Sequence, residues 1–310
     1  MLELTVKVLI GFGIGLIIGS IFRLFSKPKA IKYKGLGISK FVELEGIEYH
    51  FVQEGKGPDL LLLHGIGANI LCWRQLWKLL TKFYRVTALD LPGFGHSSKR
   101  IDVGYDLDAQ TARVATFLEA LEIKKTYVLG CSLGGAIALW LSKTRPELVQ
   151  RVVAIAPAVH HGIIRIDTNR LWIFVHILKY IIVNPFLVRQ ILRRVLTKHK
   201  DATLDTILDY YAPYHKSPAA VITFWKSFDL IKDARLPQDL TEVSCPVLVL
   251  YGKRDRMVRQ HFIDNLPSLI KDLSVVYHDD GGHHLMNDEP KFVAEEVKKF
   301  LGVPQLTLVQ

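Results

Sequence analysis

Cysteine is scarce: Cys72, Cys131 and Cys245 are the only three in 310 residues. Odd in number and without metal-type spacing, they point to neither a disulfide framework nor a zinc site, and to a reducing compartment. No repeat period and no low-complexity tract is present, which sets aside repeat architectures and disordered tails. Acidic residues are outnumbered, 30 Asp and Glu against 40 Lys and Arg, for a formal net charge of +10. That surplus is not gathered into an RNP-like aromatic strand or an arginine-rich tail, so no nucleic-acid partner is expected. What is plentiful is apolar surface: 49% of the residues are hydrophobic. That is enough for a large core, as one big domain or as a core with an insertion.

Residues 1–25 predict a membrane anchor helix. Val8 to Phe22 is apolar apart from glycines and Ser20, and Leu2 to Val6 can extend it if Lys7 snorkels. Arg23, Lys27, Lys29, Lys32 and Lys34 follow in a basic linker, residues 26–40. Positive charge after the apolar run places the globular part in the cytoplasm and argues against a cleaved signal peptide, which carries its charge before the run. Gly11, Gly15 and Gly19 fall on one helical face and would allow self-association in lipid.

Beyond the linker, apolar strands alternate with helical segments. Phe41–Glu45 and Ile47–Gln53 predict an antiparallel hairpin. Leu60–Leu63, Arg85–Leu89, Thr126–Leu129, Arg151–Ala156, Pro246–Tyr251 and Leu273–Tyr277 predict buried strands of a mostly parallel sheet. The core is therefore expected over 41–157 and 244–303. Between these halves, 158–243 shows helical patterns and no strand, as an inserted helical cap would. Between Arg165 and Lys200 it carries eight Lys or Arg against one Asp, with Trp172, Phe174 and Phe186 beside them. Such a surface suits a membrane interface, or a cap that turns its apolar faces to the core and its charges to water.

Ligands bind parallel sheets at the carboxyl ends of the strands. Ser132 stands there in Gly130-Cys131-Ser132-Leu133-Gly134, a G-x-S-x-G turn that holds a serine hydroxyl above a sheet, with free N–H groups of the next helix aimed at the same point. Asp255, in Gly252-Lys253-Arg254-Asp255, and His283, in Gly281-Gly282-His283-His284, occupy later strand ends. A hydroxyl needs an imidazole to take its proton, and the imidazole needs a carboxylate to fix its tautomer. His284 competes with His283 for the role of base, and Asp90 with Asp255 for that of the acid. Cys131 sits one residue off the glycine spacing that a nucleophile needs, and His64 and His96 read as hydrogen-bonded loop residues.

With His64-Gly65-Ile66-Gly67, Asp90-Leu91-Pro92-Gly93-Phe94-Gly95-His96-Ser97, and His283 followed by Asp288 and Pro290, the motifs are five in order. Over roughly residues 40 to 301 the chain resembles an α/β-hydrolase-fold serine hydrolase. In its anchor and cap it is similar to membrane-anchored monoacylglycerol lipases and esterases. The resemblance implies Ser132 as nucleophile, His283 as base and then acid, Asp255 as its orienting acid, and the backbone N–H groups of Ile66 and Leu133 as the oxyanion hole. It implies no metal and no cofactor, and a lipid-like ester as substrate. Haloalkane dehalogenases and epoxide hydrolases of this fold use a carboxylate where Ser132 stands. Carbon–carbon bond hydrolases and perhydrolases keep the serine. The H-x4-D spacing of His283 and Asp288 admits acyl transfer, and a hydrolase-like scaffold without turnover is the non-enzymatic alternative.

Overall fold

The computed structural model describes residues 14, 15, 18, 21, 36–163, 168–178 and 183–302. Strands β1 (Ile38–Leu44), β2 (Ile47–Glu54), β3 (Asp59–Leu63) and β4 (Arg85–Asp90) are joined by helix α1 (Arg74–Leu80) between β3 and β4. After α2 (Leu107–Ala120) come β5 (Thr126–Cys131), α3 (Leu133–Thr144) and β6 (Val149–Ile155). Then follow α4 (Thr168–Leu178), α5 (Pro185–Val195), α6 (Leu204–Tyr211), α7 (Pro218–Lys226) and α8 (Phe228–Ile231). The chain returns to the sheet through β7 (Val247–Gly252), α9 (Gln260–Asp264), β8 (Leu273–His278), α10 (Leu285–Asp288) and α11 (Pro290–Leu301).

The eight strands form one sheet in the order β1-β2-β4-β3-β5-β6-β7-β8. β1 and β2 pair antiparallel with each other, as does β2 with β4, and every pairing from β4 to β8 is parallel. The parallel strands β3 and β7 are apolar along nearly their whole length because helices cover both faces. All residues of α3 from Leu133 to Ser142 are buried, so this helix lies wholly within the core. The parallel arrangement places His64, Asp90, Ser132 and the Asp255 loop along one edge, where the strands end.

The expected N-terminal membrane helix, and the membrane localisation drawn from it, are corrected. Among the described residues no helix is long and apolar enough to cross a membrane. Most of residues 1–25 lies outside the described residues, Gly11 and Gly19 included. Gly15 is described, and a Cβ on it would come 2.5 Å from the ring of Phe186 in α5. The sheet also starts earlier than expected, since β1 begins at Ile38.

Candidate active site

Ser132 occupies the single residue between β5 and α3 with φ 53° and ψ −116°. A side-chain-bearing residue held there stores on the order of 1–3 kcal/mol of strain. Its backbone is pinned on both sides: its N–H donates to Ile155 O at 2.9 Å, and its carbonyl accepts from Ala136 and Ala158 at 3.1 and 3.0 Å. The flanking glycines permit the turn. A Cβ on Gly130 would lie 2.2 Å from Gly134 O, and one on Gly134 would lie 2.1 Å from Leu63 O. The G-x-S-x-G spacing is therefore a steric requirement of packing α3 against β3 and β5.

Asp255 and His283 come together from the loops after β7 and β8. Nδ1 of His283 lies 2.7 Å from Asp255 Oδ2. Asp255 Oδ1 accepts the N–H groups of Met257 and Val258 at 2.6 and 3.0 Å, which fixes the carboxylate from behind. Ser132 Oγ and His283 make no hydrogen bond with each other in this arrangement. Catalytic hydrogen bonds often tighten only once substrate is bound, and the Ser132 hydroxyl moves between staggered positions by rotation about one bond. Ser132 and His283 are 6% and 4% exposed, so both are largely shielded from bulk water.

The loop after β3 abuts the serine: a Cβ on Gly65 would lie 3.2 Å from Ser132 Cβ. His64 braces that loop. Its Nε2 accepts the Leu91 N–H at 3.0 Å, which leaves the proton on Nδ1 to donate to Gly65 O at 2.8 Å. Burial holds the His64 pKa below its ordinary value, in keeping with a neutral ring. Among the described residues, the N–H groups of Ile66 and Leu133 donate to no protein acceptor. Leu133 is the first residue of α3, where an N–H has no partner within the helix.

The rival residues fall elsewhere. Asp90 is fully buried and bonded to His50 Nδ1 at 2.7 Å and to the N–H groups of Ile70 and His96, each at 2.8 Å. Burial pushes the Cys131 thiol well up, leaving a poor nucleophile, and its Sγ faces His283 O at 3.9 Å. His284 stacks beside His283 with ring centroids 5.8 Å apart, and burial, with the neighbouring His283, pushes its pKa down to about 3. Among the described residues no group of three or more His, Cys, Asp or Glu is placed to hold a metal ion.

Two connections were not foreseen from the sequence. Asp288 stands out in the sequence only by its spacing from His283 and Pro290, yet its carboxylate joins two distant loops. It accepts the Gly282 N–H at 2.9 Å and the Thr197 N–H at 3.0 Å, and the His284 N–H reaches Val195 O at 3.0 Å. Both neighbours of His283 are thus tied to the C-terminal end of α5. His50, the partner of Asp90, is the other; it lies in the middle of the alternating strand β2, where nothing in the sequence marks it out.

Comparison with known proteins gives the family. Residues 58–290 match the alpha/beta hydrolase fold family. The chain belongs to that family, and it is a hydrolytic enzyme. It is 29% identical to a 2-hydroxy-6-oxo-6-(2'-aminophenyl)hexa-2,4-dienoic acid hydrolase of Metapseudomonas resinovorans, over 86% of this chain and 91% of that one. It is also 29% identical to a pimeloyl-[acyl-carrier protein] methyl ester esterase of Vibrio campbellii, over 67% and 81%. A crystal structure described as a membrane phospholipase A superposes with a TM-score of 0.71 at 28% identity, covering 97% of this chain and 96% of that one.

Proposed function

We propose that the protein hydrolyses a carboxylic ester with a lipid-like acyl chain, using Ser132, His283 and Asp255. The observation that carries this reading is the strained Ser132 turn beside a His283–Asp255 pair already bonded at 2.7 Å. The Ser132 hydroxyl rotates onto His283 Nε2 and attacks the ester carbonyl carbon while the imidazole takes its proton. Asp255 keeps the Nδ1 proton in place and balances the imidazolium charge. The tetrahedral oxyanion is received by the N–H groups of Ile66 and Leu133, each contributing on the order of 3 kcal/mol to barrier lowering. His283 returns the proton to the departing alkoxide, and water, activated by the same imidazole, releases the acid from the acyl-enzyme.

The lipid-like part rests on the likeness to the membrane phospholipase A and on α4. There Leu171, Trp172, Ile173, Phe174 and Ile177 are all exposed, and exposed Arg193 and Arg194 lie on α5. Exposed apolar side chains on one cap helix and exposed arginines on the next suit an acyl chain with an anionic head group. A second reading, hydrolysis of a 2-hydroxy-6-oxohexadienoic acid, is favoured by the similarity to the Metapseudomonas hydrolase.

The test is a panel of p-nitrophenyl esters, monoacylglycerols and a 2-hydroxy-6-oxohexadienoate, assayed with wild type and Ser132→Ala. Rates that rise with acyl length and vanish in Ser132→Ala support the first reading. Turnover of the dienoate alone would replace it with the second. Full activity in Ser132→Ala would remove both.

A further inference from the structure

A second serine, histidine and aspartate stand in series at the far edge of the sheet. Ser39 Oγ lies 2.5 Å from His50 Nε2, and His50 Nδ1 lies 2.7 Å from Asp90 Oδ2. His50 and Asp90 are both fully buried, whereas Ser39 is exposed on the edge strand β1. Strands β2, β4 and β3 separate β1, which carries Ser39, from the Ser132 strand. Asp90 is held rigidly by the N–H groups of Ile70 and His96, and His50 N–H is itself fixed on Ser97 Oγ at 2.8 Å. With the Nδ1 proton donated to Asp90, Nε2 is left to accept the Ser39 proton, the same atom-by-atom polarity that a nucleophilic serine requires. Phe41, two residues on and 53% exposed, offers apolar surface on the same face as Ser39.

We propose that Ser39 is a second nucleophilic serine, a site of covalent acylation by activated carboxylic esters such as aryl esters or thioesters. Ser39 Oγ attacks the carbonyl carbon and passes its proton to His50 Nε2. The bond from that carbon to the aryl oxygen then breaks, and the phenol leaves with the proton from His50. The products are O-acyl-Ser39 and the free phenol, with no change of oxidation state. Ser39 lies in mid-strand with no helix N-terminus behind it to receive an oxyanion. Without such stabilisation the attack depends on an ester with a good leaving group, and hydrolysis of the adduct, whose leaving group is the serine alkoxide, is slower still, so the acyl group is retained.

The experiment uses the Ser132→Ala protein, which removes the first site and keeps this test independent of it. The protein is treated with p-nitrophenyl acetate, and acetylated peptides are quantified by mass spectrometry. The expected result is about one acetyl per chain on Ser39, at least tenfold faster than on Ser274, an exposed serine of the opposite edge strand β8, and slowed at least tenfold by His50→Gln. Because His50→Gln can perturb folding, labelling is repeated on the same Ser132→Ala protein in urea, where the Ser39 preference must disappear. Labelling of Ser39 no faster than Ser274, or a preference that survives unfolding, would overturn the proposal.

Discussion

Replacing Asp288 by Asn should loosen the base of the candidate triad without touching it. The carboxylate, 1% exposed, holds Gly282 N–H with Oδ2 at 2.9 Å and Thr197 N–H with Oδ1 at 3.0 Å. Lys198 Nζ adds a bond from the α5 side to Asp288 O at 2.5 Å and an ion pair to Glu289 at 2.7 Å. An amide keeps one acceptor oxygen and turns its NH2 toward the other N–H, so one bond is lost and two donors face each other. A buried N–H left without its acceptor costs about 1–3 kcal/mol, more where the lost acceptor was charged, so a loss of roughly 2–4 kcal/mol is expected. His283 sits between Gly282 and His284, both tied to α5, and a shift of 1 Å at a catalytic group can cost about a hundredfold in rate. Urea unfolding should therefore show a lowered midpoint. Ester kinetics should show kcat reduced ten- to a hundredfold, with the Asp255–His283 pair intact. A variant with unchanged midpoint and kcat within a factor of two would refute this account of the clamp.

Three further outcomes follow from distances and burial. Gly134→Ala places a Cβ 2.1 Å from Leu63 O. It should destabilise the fold by on the order of 3 kcal/mol and abolish activity, because α3 must move off β3; a soluble variant with wild-type melting would contradict that contact. His64 and His284 are buried rings with depressed pKa values, that of His284 about 3. The unfolded chain therefore binds protons below about pH 6.5 that the native state refuses. Stability present above that pH should fall on acidification by up to about 1.4 kcal/mol per pH unit for each ring. Urea midpoints between pH 7.5 and 5 measure it, and a flat profile would exclude it. Finally, Ile173→Ser with Phe174→Ser removes two exposed apolar groups from α4. Stability should change by less than about 0.5 kcal/mol. Activity on dispersed long-chain monoacylglycerol should drop about tenfold, with p-nitrophenyl acetate unaffected, and an equal loss on both substrates would argue against α4 as an acyl-chain contact.

The elements that could be read from the sequence are those whose cause is local. Leu60–Leu63 reads as a strand because a run apolar at every position has nowhere to lie but between two helical layers, and β3 sits there fully buried apart from Asp59. Helices α6 and α11 also have local causes, since Thr203 caps the first and Pro290 opens the second. Ser132 was legible for a related reason: the two glycines that make its turn possible are two residues away on either side. What was hidden depends on partners far along the chain. Nothing in the spacing says that Asp90 turns to His50 across β2 and β4, or that Asp288 holds the ends of α5 and the His283 loop together. A carboxylate declares its charge in the sequence, but which N–H or imidazole it meets is decided only when strands from distant stretches take their places in the sheet. The N-terminal apolar run was read from hydropathy, which is local, whereas a crossing needs one long apolar helix, and among the described residues no helix is long and apolar enough. The same distinction separates the two serines: Ser132 announces itself by its neighbours, whereas Ser39 has an ordinary strand sequence and acquires its imidazole through the register that sets Ser39 opposite Val52 and His50 opposite Asp90.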